Sequence, residues 1–311
     1  MTVILIYLRG YFAHVDKGLL LFCSIWTAVL IALNYQLGIE RTLIANLDSR
    51  FYQFLALFCV YCCAFVVPYL FIAVFRKPLI VITPLFWWLL LMAPALFAFK
   101  VSVVNPLEYG LAGIWGDYWV AATTLPFKFL TVLAPLIVLH RMLAPQTSFW
   151  GMTLQNLRWR PYLQMLVLMV PLILFASTQP DFLSVYPRGA QIAFITAHTD
   201  YWHGILLKAL YEISYGIDFV TIELFFRGFL IFAFTRFAGA AAILPMAVFY
   251  CSIHFGKPLL ECVSSFFGGL ILGVVAYRTQ SIVGGLAVHL GIAWMMEIGG
   301  YVGNGMLRGK G

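Results

Sequence analysis

The sequence predicts an all-α fold, a polytopic integral membrane helical bundle with about eight to nine transmembrane helices. Three observations predict it. Hydrophobic residues make up 63% of the 311 positions and charged residues only 10%, whereas a soluble domain carries about 25% charged residues. So few charges cannot cover a water-facing surface. Apolar runs long enough to cross a hydrocarbon core of about 30 Å recur along the whole chain. Those runs lack the alternation of a membrane barrel, and helices satisfy their backbone hydrogen bonds internally in lipid.

The first seventeen residues carry Arg9, His14, Asp16 and Lys17, and the apolar run after them is long enough to span. It reads as a retained first transmembrane helix and not as a cleaved signal. Nine runs are candidates for spans: 18–36, 51–75, 79–98, 119–140, 161–177, 204–235, 239–255, 259–277 and 281–299. The run 204–235 exceeds one span, so it is one tilted helix or an interfacial piece leading into a helix. The connections 141–160 and 178–203 are the most polar and are expected at the interface or as small loops. Residues 1–150 read as accessory transmembrane scaffold. Residues 151–203 read as a linker with one transmembrane helix and an interfacial loop. Residues 204–300 form the expected core bundle, and 301–311 a short polar tail.

The net charge of +7 is spread over short connections. It signals topology and contact with lipid headgroups. The expected partners are the bilayer and a peptide or membrane-protein substrate, with no basic patch suited to nucleic acid. The expected location is the plasma (inner) membrane. If nine helices alternate, Arg9, Lys17, Arg76, Lys77, Arg141, Arg158, Arg160, Arg236 and Arg278 share one side, which a thin margin makes cytoplasmic. All six cysteines lie in apolar segments. Cys59, Cys62 and Cys63 offer a CxxC spacing, but a zinc or redox site needs polar support that "LALFCVYCCAFVV" lacks. They read as packing cysteines.

Ionisable residues are distributed unevenly. Before residue 200 the candidate helices hold almost none, with Lys128 the main exception. The last third holds Glu212, Asp218, Glu223, Arg227, His254, Glu261, His289 and Glu297 in or beside apolar runs. Such groups at membrane depth are costly unless paired or hydrated, so they mark function. In "IELFFRG", Glu223 and Arg227 stand i,i+4 on one helix face. In "FYCSIHFGKPLLE", His254 precedes the helix-breaking Gly256, Lys257 and Pro258. His289 lies on the last helix. Gly268, Gly269, Gly273, Gly284, Gly285 and Ala287 allow close helix approach.

In these motifs the chain resembles the intramembrane glutamic proteases related to the type II CAAX prenyl endopeptidase and to bacteriocin-processing and immunity proteins. That family carries EExxxR, then FxxxH, then HxxxN or HxxxD on successive helices. "ELFFRG" matches the end of the first motif and "YCSIH" the second, with Tyr250 where Phe is usual. His289 matches the third. The resemblance covers about residues 205–295. It implies an endopeptidase in which a glutamate and a histidine activate water. By that likeness His254 helps polarise the water, His289 donates to the oxyanion, and Glu223 and Arg227 match the second Glu and the Arg of the first motif, whose first Glu is the usual water-activating residue. Two positions depart from the pattern: Ile222 replaces the first Glu, and Ala293 replaces the Asn. Either Glu223 takes over as the base or the site is catalytically impaired. Asp218, one turn before Ile222, and Tyr250 are auxiliary candidates.

Each feature also has a plainer reading. Glu223 and Arg227 can be a structural ion pair, and a membrane histidine can simply join helices. Glu261 can pair with Lys257, Glu212 with Lys208, and Glu297 with His289 or the interface. No cofactor is expected. Zinc held by Glu223, His254 and His289 is the alternative, disfavoured by the guanidinium beside the carboxylate. Two non-enzymatic classes remain beside the peptidase. One is a binding, immunity or scaffold protein that keeps the fold. The other is a small-solute carrier, for which the internal repeats common in carriers are not evident.

Overall fold

The computed structural model describes residues 2–155 and 157–308. Those residues form helices and no strand. The helices are α1 (Thr2–His14), α2 (Lys17–Leu37), α3 (Arg50–Phe75), α4 (Pro84–Ser102), α5 (Gly113–Leu143), α6 (Trp159–Ala176), α7 (Pro180–Leu183), α8 (Ala193–Thr196), α9 (Tyr201–Glu223), α10 (Ile231–Ala238), α11 (Ile243–Ser252), α12 (Leu259–Thr279) and α13 (Val283–Arg308). Among the described residues, eight segments are long and apolar enough to cross a membrane. The chain is an integral, multi-pass membrane protein.

Local chemistry sets where these helices begin. The Asp16 carboxylate accepts the Leu19 N–H at 2.7 Å at the start of α2. Ser49 and Thr83 hydroxyls cap α3 and α4 in the same way, and Asp200 caps α9. Each cap satisfies a donor that the first helical turn leaves open. Gly38 closes α2 in the left-handed region at φ 62°, and the chain doubles back through a π turn, Ile39–Ile44.

Most expected spans correspond to one helix each. The exception is the pair 204–235 and 239–255, which form a single apolar stretch from Tyr201 to Ser252. It is broken by a π turn, Leu224–Leu230, and by a tight 3-10 turn, Gly239–Ala242. Neither break interrupts the hydropathy. The expected polar tail is helical through Arg308, and its last three residues lie outside the described ones. The connection 178–203 contains α7, α8 and a 3-10 turn, Arg188–Ile192.

The centre of the bundle is α11, all ten of whose residues are buried. It packs on α12, α3 and α2. Around it lie Tyr61, Phe65, Phe97, Phe225, Phe226 and Phe249, with ring centroids 5.0–6.0 Å apart in tilted and edge-on pairs. Gly269 lets α12 approach α11, since a Cβ there would stand 2.8 Å from Tyr250 Cδ1. Gly268, expected to serve the same purpose, faces open space.

Candidate active site

Glu223 is the last residue of α9, at the junction with the π turn that carries Arg227. A π turn is less stable than an α-helix and recurs at functional sites. Here Phe225, Phe226 and Phe229, all fully buried, pack around it. On its other side Gly228 meets the loop before α6, where a Cβ would stand 2.7 Å from the Trp150 carbonyl.

The polar groups meet inside this apolar wall. Glu223 and Arg227 are 0% and 1% exposed. Glu223 Oε1 lies 3.1 Å from Arg227 Nη1 and 2.9 Å from His289 Nδ1. The Arg227 guanidinium sits over the Tyr250 ring, 3.8 Å from its centroid, a cation–π contact strengthened by desolvation. The Tyr250 hydroxyl lies 3.2 Å from His289 Nε2. A continuous chain therefore runs Arg227–Glu223–His289–Tyr250. Phe219, one turn before Glu223, packs edge-on against the His289 ring at 4.8 Å.

Partner chemistry assigns the protons. A carboxylate can only accept, so neutral His289 carries its proton on Nδ1 and offers Nε2 to the Tyr250 hydroxyl. His254 Nδ1 lies 3.0 Å from the Tyr250 carbonyl. A carbonyl also only accepts, so neutral His254 donates from Nδ1 and leaves Nε2 as a free base. The two imidazoles share one scaffold, because Tyr250 touches His289 with its hydroxyl and His254 with its carbonyl.

The motif residues Glu223, Arg227, Tyr250, His254 and His289 thus come together. Asp218 is engaged elsewhere, with Lys100 Nζ at 2.5 Å. Lys100 lies inside α4 and is 5% exposed, just past the end of the expected span 79–98. Ile222 is buried in the main apolar core, and Ala293 is buried. Neither position receives a polar substitute. Among the described residues, no three His, Cys, Asp or Glu side chains are grouped to hold a metal ion. Lys128 donates to the Val101 carbonyl at 2.9 Å.

Beyond His254 a second polar cluster forms. Lys257 and Glu261 pair at 3.5 Å, as expected. The Tyr186 hydroxyl lies 3.1 Å from both. Two other expected pairs do not form. Glu297 accepts the backbone N–H groups of Arg188 and Gly189 at 2.7 and 2.9 Å instead of meeting His289. Glu212 reaches the Glu297 carboxyl, while Lys208 sits over the Tyr301 ring at 5.8 Å. Tyr186 and the α2 residues Asn34 and Tyr35 near this cluster were missed by motif reading. Asn34, an amide inside an apolar run, was an available signal.

The fold and site define a class: a multi-pass helical membrane protein with a buried acid, guanidinium and two imidazoles on its last helices. Residues 214–295 match the family model described as Rce1-like, type II CAAX prenyl endopeptidase, so the resemblance carried by the three motifs is to this family. No curated protein and no solved structure matches the chain.

Proposed function

We propose that the protein is an intramembrane endopeptidase that hydrolyses a peptide bond of a membrane-associated peptide or protein, in the plasma membrane, without a metal. The observation that carries this reading is the convergence of Glu223, His289, Tyr250 and His254 behind a dry aromatic wall, within the segment that matches the family.

The chemistry follows from the proton positions. His254 Nε2 takes a proton from water as the water oxygen attacks the substrate carbonyl carbon. The developing oxyanion accepts a hydrogen bond from the Tyr250 hydroxyl, whose single proton turns from His289 Nε2 to the substrate oxygen as the charge forms. Glu223 holds His289 in the tautomer and direction this requires, as a buried carboxylate does for a catalytic histidine. When the carbon–nitrogen bond breaks, His254 returns the proton to the leaving amine. Low polarity around the site strengthens each of these interactions. Arg227 balances the Glu223 charge, and its position on Glu223 supports a metal-free site. Tyr250 thus occupies the donor role that Ala293 lacks.

The test is cleavage of prenylated and unprenylated C-terminal peptides, and of leader-type peptides, by the purified protein in detergent. Glu223→Gln and His254→Ala are expected to abolish it. Activity equal to wild type in both variants overturns the mechanism.

A second reading rests on Ile222, which lies in the main apolar core, and on Ala293, which is buried. It makes the protein an impaired family member that serves as a membrane binding, immunity or scaffold protein. Its signature is a cellular phenotype that survives Glu223→Gln in a folded chain.

A further inference from the structure

The loop after α11, residues 253–258, carries His254 and is held from outside the family-matched segment. α11 ends at Ser252, and helix ends leave carbonyl oxygens without helical partners. Buried in apolar surroundings, each such group is costly unless it finds a donor. The next carbonyls of this chain find theirs on one corner of the N-terminal region. Asn34 Nδ2 donates to the Phe255 carbonyl at 3.0 Å. Arg41 Nε donates to the Gly256 carbonyl at 3.2 Å. The Tyr35 hydroxyl donates to the Lys257 carbonyl at 2.6 Å.

The same corner meets the loop's N–H side. The Glu40 carboxylate faces the Gly256 backbone N–H, and a Cβ on Gly256 would stand 3.0 Å from Glu40 Oε1. The corner is also tied to itself, because Asn34 Oδ1 accepts the Glu40 N–H at 3.1 Å. The turn at Gly38 makes this possible by folding residues 39–41 back beside Asn34 and Tyr35. Three consecutive carbonyls and one N–H group are thereby addressed by four side chains within eight residues. His254 is the next residue up the chain from Phe255, so any shift of 255–257 is felt at its ring.

We infer that the corner Asn34–Arg41 is a positioning element of the candidate site. Asn34, Tyr35 and Glu40 fix the 255–257 backbone, and through it they set the direction of the His254 imidazole. The N-terminal helices then complete a site whose reacting groups all come from the last third of the chain. The kinetic consequence rests on the peptidase reading, whereas the geometric consequence does not.

The experiment uses the full chain in lipid nanodiscs and measures the rates of diethyl pyrocarbonate modification at His254 and His289 by mass spectrometry. Tyr35→Phe and Asn34→Ala are expected to raise the His254 rate about 5-fold or more while His289 stays within about 2-fold, as expected for a local opening. Glu40→Ala does the same, and the conservative Glu40→Gln, which keeps an acceptor for the Gly256 N–H, restores the wild-type rate. Trp26→Phe removes a hydrogen bond from α2 to the Cys63 carbonyl, away from this corner, and changes neither histidine. In a cleavage assay, kcat falls about 10-fold with KM unchanged, because a small misplacement of a catalytic group acts on the chemical step. Unchanged His254 rates in both Tyr35→Phe and Asn34→Ala overturn the positioning role, whatever the activity. A parallel rise at both histidines overturns it too, since that marks general loosening. If the protein cleaves nothing but the His254 rate rises selectively, the positioning role stands and the peptidase reading falls.

Discussion

Helices α2, α5 and α6 and the stretch Tyr201–Ser252 put the same apolar residues to opposite uses. In the most apolar window of α6, 17% of residues are buried inside the protein, and in those of α2 and α5, 22%. In the stretch 201–252 the share is 67%. Leu163, Val167, Leu168, Leu172 and Leu174 on α6 point outward, whereas α11 shows nothing to the outside. Lipid is as apolar as leucine, so outward residues gain little by changing neighbours. The inward ones build a water-poor chamber in which an acid, a guanidinium and two imidazoles interact strongly. Hydrophobicity in α2, α5 and α6 is mostly a solvent match; in the stretch 201–252 it is a working part of the site.

That contrast can be broken or sharpened by substitution. The largest effect is expected from Glu223→Gln, which leaves Arg227 buried without its counter-charge and no longer fixes the His289 tautomer. Cleavage should fall about 10⁴-fold in a peptide assay, as when a buried carboxylate that orients a catalytic histidine is lost. Next is Asp218→Asn, which strands the buried Lys100 ammonium across the α4–α9 contact. It should cost about 3 kcal/mol in reversible unfolding in mixed micelles. Tyr250→Phe removes the oxyanion donor and should slow cleavage about 10²- to 10³-fold, with thermal stability nearly unchanged.

A smaller effect concerns Glu40, which is half-buried outside the spans. Burial raises its carboxyl from 4.5 to about 7, against the pull of the Gly256 N–H, Lys257 and Arg41. Tyr61 and Cys262 also face it. The folded protein therefore holds this proton more tightly than the unfolded chain. Its contribution to stability is full below pH 4.5 and is lost as pH rises to about 7. Melting temperature should fall with rising pH across that window, and the slope should flatten in Glu40→Gln. The smallest effect is Val167→Ala on the lipid face of α6, expected within about 0.5 kcal/mol of wild type. A large loss there would remove the contrast between the outward helices and the stretch 201–252.

The helical class and the membrane setting were legible because composition alone excludes a soluble surface. The motif residues were legible because spacing along a helix places Glu223 beside Arg227 and Tyr250 beside His254. What spacing could not show was which side chains meet across helices. Asp218 looked like part of the site on its own helix, and only the approach of α4 reveals Lys100 as its partner. Glu212 and Lys208 have the right spacing for a pair, but Glu297 and Tyr301 draw them apart. The π turn was invisible because it changes hydrogen bonding without changing hydropathy. The Asn34 corner was invisible because its contacts cross more than two hundred residues of chain.

Among the described residues, the second oxygen of Glu223, Oε2, has no hydrogen-bond partner. A Cβ on Gly285 would stand 3.2 Å from it. Bare α13 backbone therefore stands against the open side of the acid, where even a methyl group would be tighter than ordinary contact. For variation among relatives this is a ruler: alanine or anything larger at this position presses on the carboxylate, and either the acid or α13 must shift to make room.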